Sequence, residues 1–272
     1  MLLKSRGVFL LILEKIIKNI LTYERDYDNI STYTKHVIGD SDMLKSIIER
    51  NKKLSPLSET EIRIIKGAVK LFLENGYSAT TIKMIQDETG VKLGNITYYF
   101  RTKEDMLYIL VQEIMDFHLN VIEDTHEKTG DAMLSCAMEV AIQIALCENN
   151  ERAWDLYHSS YTHQHILEMI KDWTAKKNYH LLGERFPHMS EADFRILENV
   201  CTSIELSALT TPCDRYYTLE DKISLTLDSI MKIYEIPKEE REDVIKRVLE
   251  NDLTALGNKV FDDFVSRLNN DY

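Results

Sequence analysis

Lys92, Asn95, Thr97, Tyr98, Tyr99 and Lys103 stand close together in the chain, and all are residues that grip phosphate oxygens or read the edges of bases. The residues around them sharpen the point. From Thr89 to Lys103 no side chain is acidic, whereas Lys92, Arg101 and Lys103 are positive, in a protein whose formal net charge is -12. Anions have been cleared from one place, and a polyanion could approach there.

Two short helical patterns position these groups. Thr80 and Thr81 carry hydroxyls that cap a helix start, and Ile82 and Ile85 follow three apart on one face. Gly90 ends that helix, because a sharp turn between helices needs a left-handed residue that glycine adopts without strain. Val91 plugs the corner, after which Leu93, Ile96 and Phe100 at i, i+3 and i+7 should face inward. The pattern is a helix-turn-helix, with Lys92, Asn95, Thr97, Tyr98 and Tyr99 on the outer face. A brace precedes it: Ser58-Glu59-Thr60-Glu61 is a capping box opening a helix whose inward stripe, Ile65, Ala68 and Phe72, ends at Asn75-Gly76. Thr102 and Asp105 form another box, whose free amides with Lys103 make a phosphate clamp. The plainer alternative is a pair of ordinary amphipathic helices whose tyrosines bridge core and surface.

Arg63, Ala68, Phe72, Gly76-Tyr77, Thr80-Thr81-Ile82, Ile85, Gly90-Val91, Gly94-Asn95-Ile96, Tyr98-Tyr99-Phe100, Lys103-Glu104 and Leu107 resemble, in one ungapped register, the amino-terminal domain of the TetR family of bacterial transcription regulators. Departures fall at Gln86, where the family usually has alanine, at Thr97, where it has tyrosine, and at Tyr99, where histidine is frequent. The last two alter the reading surface, so no relative's operator transfers. The resemblance implies a cytoplasmic, ligand-responsive repressor that binds double-stranded DNA as a homodimer. Half-sites of its palindromic operator would lie about one helical turn apart, roughly 34 to 36 Å. Lys92, Asn95 and Thr97 would contact base edges; Thr81, Tyr98, Tyr99 and Lys103 would hold phosphates beside Gly94. Ligand binding would favour a head spacing that no longer fits the groove.

Composition sets the frame. With 272 residues, 44% of them hydrophobic, the chain can build a small reading head and a larger body. Basic and acidic residues number ten and seven over 1–57, seven and six over 58–104, and 16 and 32 over 105–272, so the negative charge sits away from the reading face. Cys136, Cys147, Cys201 and Cys213 show no CxxC spacing and read as reduced core residues. Long apolar-periodic segments, with nine glycines and four prolines, indicate an all-α protein. The expected domains are an amino-terminal extension (1–57), the helix-turn-helix domain (58–104) and a helical ligand-binding and dimerisation domain (105–272).

In the extension, Val8 to Leu13 is apolar, but Glu14, Lys15 and Lys18 interrupt it well short of the roughly 20 residues a spanning helix needs. Three readings stay open: an amphipathic helix docked on the body, an interfacial membrane helix, or sequence upstream of a true start at Met43. Residues 23–42 read as a linker.

In the body, helices are expected from Lys103 to about Lys128, Asp131 to Cys147, and Glu151 towards Leu182 with a break near His163. Others should run over 190–211, 218–234, from Pro237 in its first turn, and along a final seam of Leu253, Leu256, Val260, Phe264 and Leu268. The helices 190–211 and 218–234 are the expected dimer pair, with Ser203, Ser207, Ala208, Phe194, Ile204, Ile223, Leu227 and Ile230 allowing close packing. Trp154, Tyr157, His158 and Tyr161, at i, i+3, i+4 and i+7, give one face aromatic rings with polar edges, suited either to a flat ligand or to the core. Glu205, in an otherwise uncharged run, is a second candidate for a ligand or a seam. His158 and His165 lie two turns apart on one helix, about 10 Å, too far to share a metal. No catalytic or nucleotide-binding motif is present, and no enzyme, metal or cofactor is expected. Two rivals remain: a small-molecule-binding protein with a degenerate helix-turn-helix, and a regulator tethered to a membrane by Met1 to Leu21.

Overall fold

Capping chemistry sets most helix boundaries in this chain. The computed structural model describes residues 58–271, and the expectations for residues 1–57 lie outside them. Among the described residues there are eleven helices and no strand: α1 (Glu59–Asn75), α2 (Ile82–Thr89), α3 (Leu93–Tyr99), α4 (Lys103–Thr129), α5 (Ala132–Asn149), α6 (Glu151–Thr162), α7 (Gln164–Leu182), α8 (Glu191–Thr210), α9 (Leu219–Ile233), α10 (Lys238–Leu249) and α11 (Leu253–Asp271). Capping boxes start α4, α8 and α9 at Thr102, Ser190 and Thr218, each hydroxyl accepting from the amide three residues on while the aspartate there accepts the cap's own amide. The break near His163 is a single residue, at once the end of α6 and the start of α7. Pro237 lies one position outside α10, at its cap rather than in its first turn.

Helix α5 is the hub of the body. It is mostly apolar, with Ala141 and Ala145 fully buried, and helices α4, α6, α7, α8, α9 and α10 all touch it. Its small side chains let those neighbours come close. By length and composition alone it could cross a membrane, yet most of it is covered by the rest of the fold. The two carboxy-terminal helices also cover the body: α10 lies on α5 and α9, and Gly257 of α11 sits so near Ile142 and Leu146 that a β-carbon would touch both. Leu253 and Phe264 of the expected final seam are buried, as is Phe261; the side chain of Leu268 is outside the described set. Ile64–Ser266 forms one compact unit, which holds the site elements.

The pairing face expected on α8 and α9 needs correction. Phe194, Ala208, Ile223 and Leu227 are buried in the subunit's own core. What α8 leaves to solvent is the expected Ser203 and Ser207 together with Ile196 and Val200, and α9 leaves Leu225.

An ion pair ties α9 to the end of α5. Lys222 is 1% exposed, and its ammonium donates to Glu148 Oε2 at 2.6 Å, while Glu148 Oε1 accepts the Cys213 amide at 2.8 Å. Glu148→Ala would leave a buried ammonium unpaired, at a cost of about 3 kcal/mol. The thermal midpoint is expected to fall by roughly 6 to 12 °C, and Lys222→Met in the same chain should restore most of it; no restoration would show that the pair is not the cause.

Candidate functional site

The exposed helix is aimed by apolar contacts on its back. Gly90 takes the left-handed conformation (φ 66°) and its amide donates to Gln86 O at 2.9 Å, turning the chain sharply out of α2. Val91, Ile96 and Phe100 are buried behind α3. Lys92, Gly94, Asn95 and Thr97 face solvent on its front, Tyr98 is 73% exposed, and Tyr99 is half-buried with its ring edge-on to Tyr98. Leu93 departs from expectation. It opens a seven-residue helix and is 51% exposed, since the inward side of so short a helix is filled by Ile96 alone. The Thr97 hydroxyl donates back to Leu93 O at 3.1 Å, which leaves its methyl and an oxygen lone pair outward. Thr81 caps α2, accepting the Met84 amide at 3.2 Å, and is exposed.

Gly94 has no local reason to be glycine. Its φ is not positive, and a β-carbon there would meet nothing within 4 Å. Glycine inside a helix costs roughly 0.5–1 kcal/mol relative to alanine. The exposed face of α3 is therefore open directly over Gly94.

The role expected of Lys103 has to be revised. Its ammonium donates to Tyr77 O at 2.6 Å and Thr80 O at 2.9 Å and lies 4.0 Å from the Tyr77 ring centre. Burial pushes its pKa down, against the pull of Asp155. The side chain is therefore engaged within the subunit, fastening the α1–α2 turn to the start of α4, and does not reach outward as a phosphate clamp. The Thr80 hydroxyl reinforces the same turn by donating to Gly76 O at 2.7 Å. The carbonyls of a tight turn need donors, and that need was the available signal for Lys103.

Several contacts join head and body that sequence reasoning missed. From α6, Asp155 accepts the Ser78 amide at 2.8 Å and also its hydroxyl, and Arg152 donates to Leu73 O at 3.2 Å. At the α6–α7 joint, the His163 ring stands edge-on to Tyr77, and on α7 His165 Nδ1 lies 2.8 Å from Glu104 Oε1. Partners 61 or more positions apart leave no trace in local spacing. His158, His163 and His165 thus have separate surroundings, with His158 stacked on Trp154. Among the described residues no group of three or more His, Cys, Asp or Glu side chains is placed to hold a metal.

The aromatic face of α6 divides. Tyr161 and Glu205 line a cavity of about 60 Å³ at the centre of the body, walled by α4, α5, α6, α7, α8 and α9. Tyr157 is buried beside a smaller one, its hydroxyl 2.7 Å from His118 Nε2. Trp154 and His158 line neither: the Trp154 indole donates to Leu209 O at 2.8 Å, anchoring α6 to the end of α8. Spacing put four side chains on one face, but the neighbours across that face change along its length.

The cavity's polar wall holds Glu139, Glu198, Glu205 and Lys177. Burial acts to raise the Glu139 carboxyl, but the Lys177 ammonium bonded to it, with His118 nearby, brings it down to about 2. Burial also pushes up Glu198, only partly offset by Tyr234 and by Lys177. Glu205 is pushed up to about 8, by burial first and then by Glu198, although the Tyr161 hydroxyl donates to it.

Residues 64–108 match the family model of bacterial regulatory proteins of the tetR family. Over 79 residues the chain is 34% identical to the HTH-type transcriptional regulator HbdR of Aromatoleum sp. (strain CIB), covering 29% of this chain and 33% of that one. Over 85 residues it is 31% identical to the fatty acid metabolism regulator protein of Bacillus subtilis (strain 168), covering 31% of this chain and 44% of that one. The chain thus spans between a third and under half of the length of these relatives. The crystal structure of a putative tetR family transcription regulator from Shewanella sp. PV-4 has a TM-score of 0.41 and 16% identity, over 70% of this chain and 96% of that one.

The raised Glu205 carboxyl has a consequence for stability. Its ordinary value is 4.5 and its folded value about 8, so the folded protein keeps a proton that the unfolded chain releases between these limits. The resulting stabilisation is fully present below the lower value and is lost as pH rises through the upper one. Glu205→Gln, which cannot ionise, should be more stable than the parent at about pH 8.5 and melt higher, by on the order of 5 kcal/mol less a reduction for partial exposure. The two melting curves should converge near pH 5; a gap that does not change with pH would show the carboxyl already ionised in the folded protein.

Proposed function

We infer that this chain, whose residues 64–108 form a TetR-family amino-terminal domain, is a ligand-responsive transcription regulator acting in the cytoplasm as a homodimer on a palindromic operator. The observation that carries this reading is the outward, acid-free face of α3, where Lys92, Asn95, Thr97 and Tyr98 surround a glycine with nothing above it. Residues 58–104 would be the DNA-binding part and 105–271 the part that dimerises and takes an effector. Helix α3 would lie in the major groove, with Lys92 and Asn95 on base edges and Thr97 offering its methyl to a thymine. Thr81, Tyr98 and Tyr99 would hold phosphates as the strand passes over Gly94. Lys103 keeps the turn in place and takes no part in that contact.

Pairing of the subunits would use the stripe that the core leaves uncovered. Ile196 is 64% exposed, Val200 50% and Leu225 58%, with Ser203 and Ser207 small enough for two helices to approach closely. An effector in the body's cavity would act through α6, which carries Tyr161 at the cavity and Asp155 at the head. Repression is the simplest consequence, since release then needs only a change in spacing between the two heads.

The direct test is a gel shift with the DNA that flanks the chain's own gene. The parent should bind a palindromic fragment, while Gly94→Ala should melt no lower and yet bind at least tenfold more weakly. A failure of the parent to shift any such fragment, or undiminished binding by Gly94→Ala, would count against the reading. Val200→Glu should convert dimers to monomers in sedimentation and weaken operator binding with helix content unchanged; a dimer that persists would place the interface elsewhere.

A further inference from the structure

The carboxyl groups that border the body's cavity are not balanced by the protein itself. Glu139 is satisfied by the Lys177 ammonium. Glu198 and Glu205, two turns apart on α8, have only neutral donors. Both donors to Glu198, the Tyr234 hydroxyl at 3.0 Å and the Asn178 amide at 3.2 Å, converge on the same oxygen, Oε1. Its other oxygen, Oε2, has no hydrogen-bond partner, although the residue is 1% exposed and lines the cavity.

A buried acceptor left unmade costs about 1–3 kcal/mol, and a leucine or methionine of similar volume would avoid the cost. The rest of the wall has that character, with Met115, Met133, Leu227 and Met231 facing the same space. One unmatched acceptor among alkyl and thioether groups asks for a donor that arrives with an apolar body of its own. We propose that the cavity is a site for a small protonated aliphatic amine, whose ammonium donates to Glu198 Oε2 and approaches Glu205 while its alkyl chain lies on the methionine and leucine wall.

Competing ligand chemistries fit less well. An anion would face three carboxyl groups and one ammonium already paired. A neutral alcohol could fill the space and satisfy one oxygen, but it brings no charge to the carboxyl pair. A divalent cation needs several oxygen ligands at once, and among the described residues no acidic group is gathered closely enough to provide them. Size sets the remaining limit: about 60 Å³ corresponds to roughly four waters, hence to an amine of a few heavy atoms. Burial holds both carboxyls towards their protonated forms, so binding of the ammonium is coupled to release of a carboxyl proton to solvent and strengthens as pH rises. The role of such an amine as effector rests on the regulator reading; its binding does not.

The test is calorimetric titration of the full chain with n-butylamine, with its neutral isostere 1-butanol, and with tetramethylammonium, which has charge but no N–H donor. n-Butylamine should bind at least tenfold more tightly than either control, and Glu198→Gln should remove that advantage while melting as a folded protein. Glu205→Gln, as a second variant, should weaken the amine severalfold and leave the alcohol unchanged. Equal binding of amine and alcohol, full affinity in Glu198→Gln, or no detectable n-butylamine binding at millimolar concentration would overturn the proposal. A gel shift run alongside separates the two readings. If the protein binds no DNA, the regulator reading fails while the titration still decides the site; if DNA is bound and n-butylamine leaves it bound, the amine is not the effector.

Discussion

One ammonium group sets how α3 is presented. Lys103 spans from the first turn of α4 to two carbonyls of the α1–α2 turn, and so joins the elements on either side of α2 and α3. Charge-assisted hydrogen bonds of this kind contribute about 1.5–3 kcal/mol each, more than an ordinary neutral bond. Desolvation lowers the lysine's pKa, and the Tyr77 ring beneath the ammonium stabilises its charge. Ile85, Ile96 and Phe100 can then meet in a core too small to hold its shape by apolar area alone.

Much of this was legible in the sequence, and for local reasons. Thr102 with Asp105, Ser190 with Asp193 and Thr218 with Asp221 announce helix starts because hydroxyl and carboxylate partners lie three residues apart. Gly90 announces the turn because its backbone conformation is a property of the residue itself. Helical periodicity also found Tyr161, and isolation among uncharged residues found Glu205, both on the cavity. Where the reading fell short, a distant partner decided the outcome. Lys103 looked like a surface cation until the carbonyls of Tyr77 and Thr80 were seen beside it, and Trp154 looked like a pocket ring until Leu209 claimed its indole. Phe194 and Ile223 show the same limit: periodicity identifies an apolar face, not what that face meets.

The body is organised around a different balance. An apolar hub helix would pack well against apolar neighbours throughout, yet its Glu139 meets a lysine, and two more carboxyls border the same space from α8. Buried polar groups of this kind specify one arrangement of the surrounding helices at the expense of stability. Glu148 with Lys222 fastens the far end of the hub by the same means, and there the charges are matched. The contrast between the matched pair and the unmatched carboxyls distinguishes a structural fastening from a place left incomplete.

The one-residue joint at His163 gives α6 the mechanics of a lever. The helix has twelve residues and is therefore about 18 Å long, pinned near its start by Leu209 and near its end by the ring contact with Tyr77. A tilt of about 5° around one end would carry the other through roughly 1.5 Å over that length, half a hydrogen bond's reach. Because the joint is a single residue, a swing of α6 would pass into α7 or the turn at Ser78 rather than into a loop.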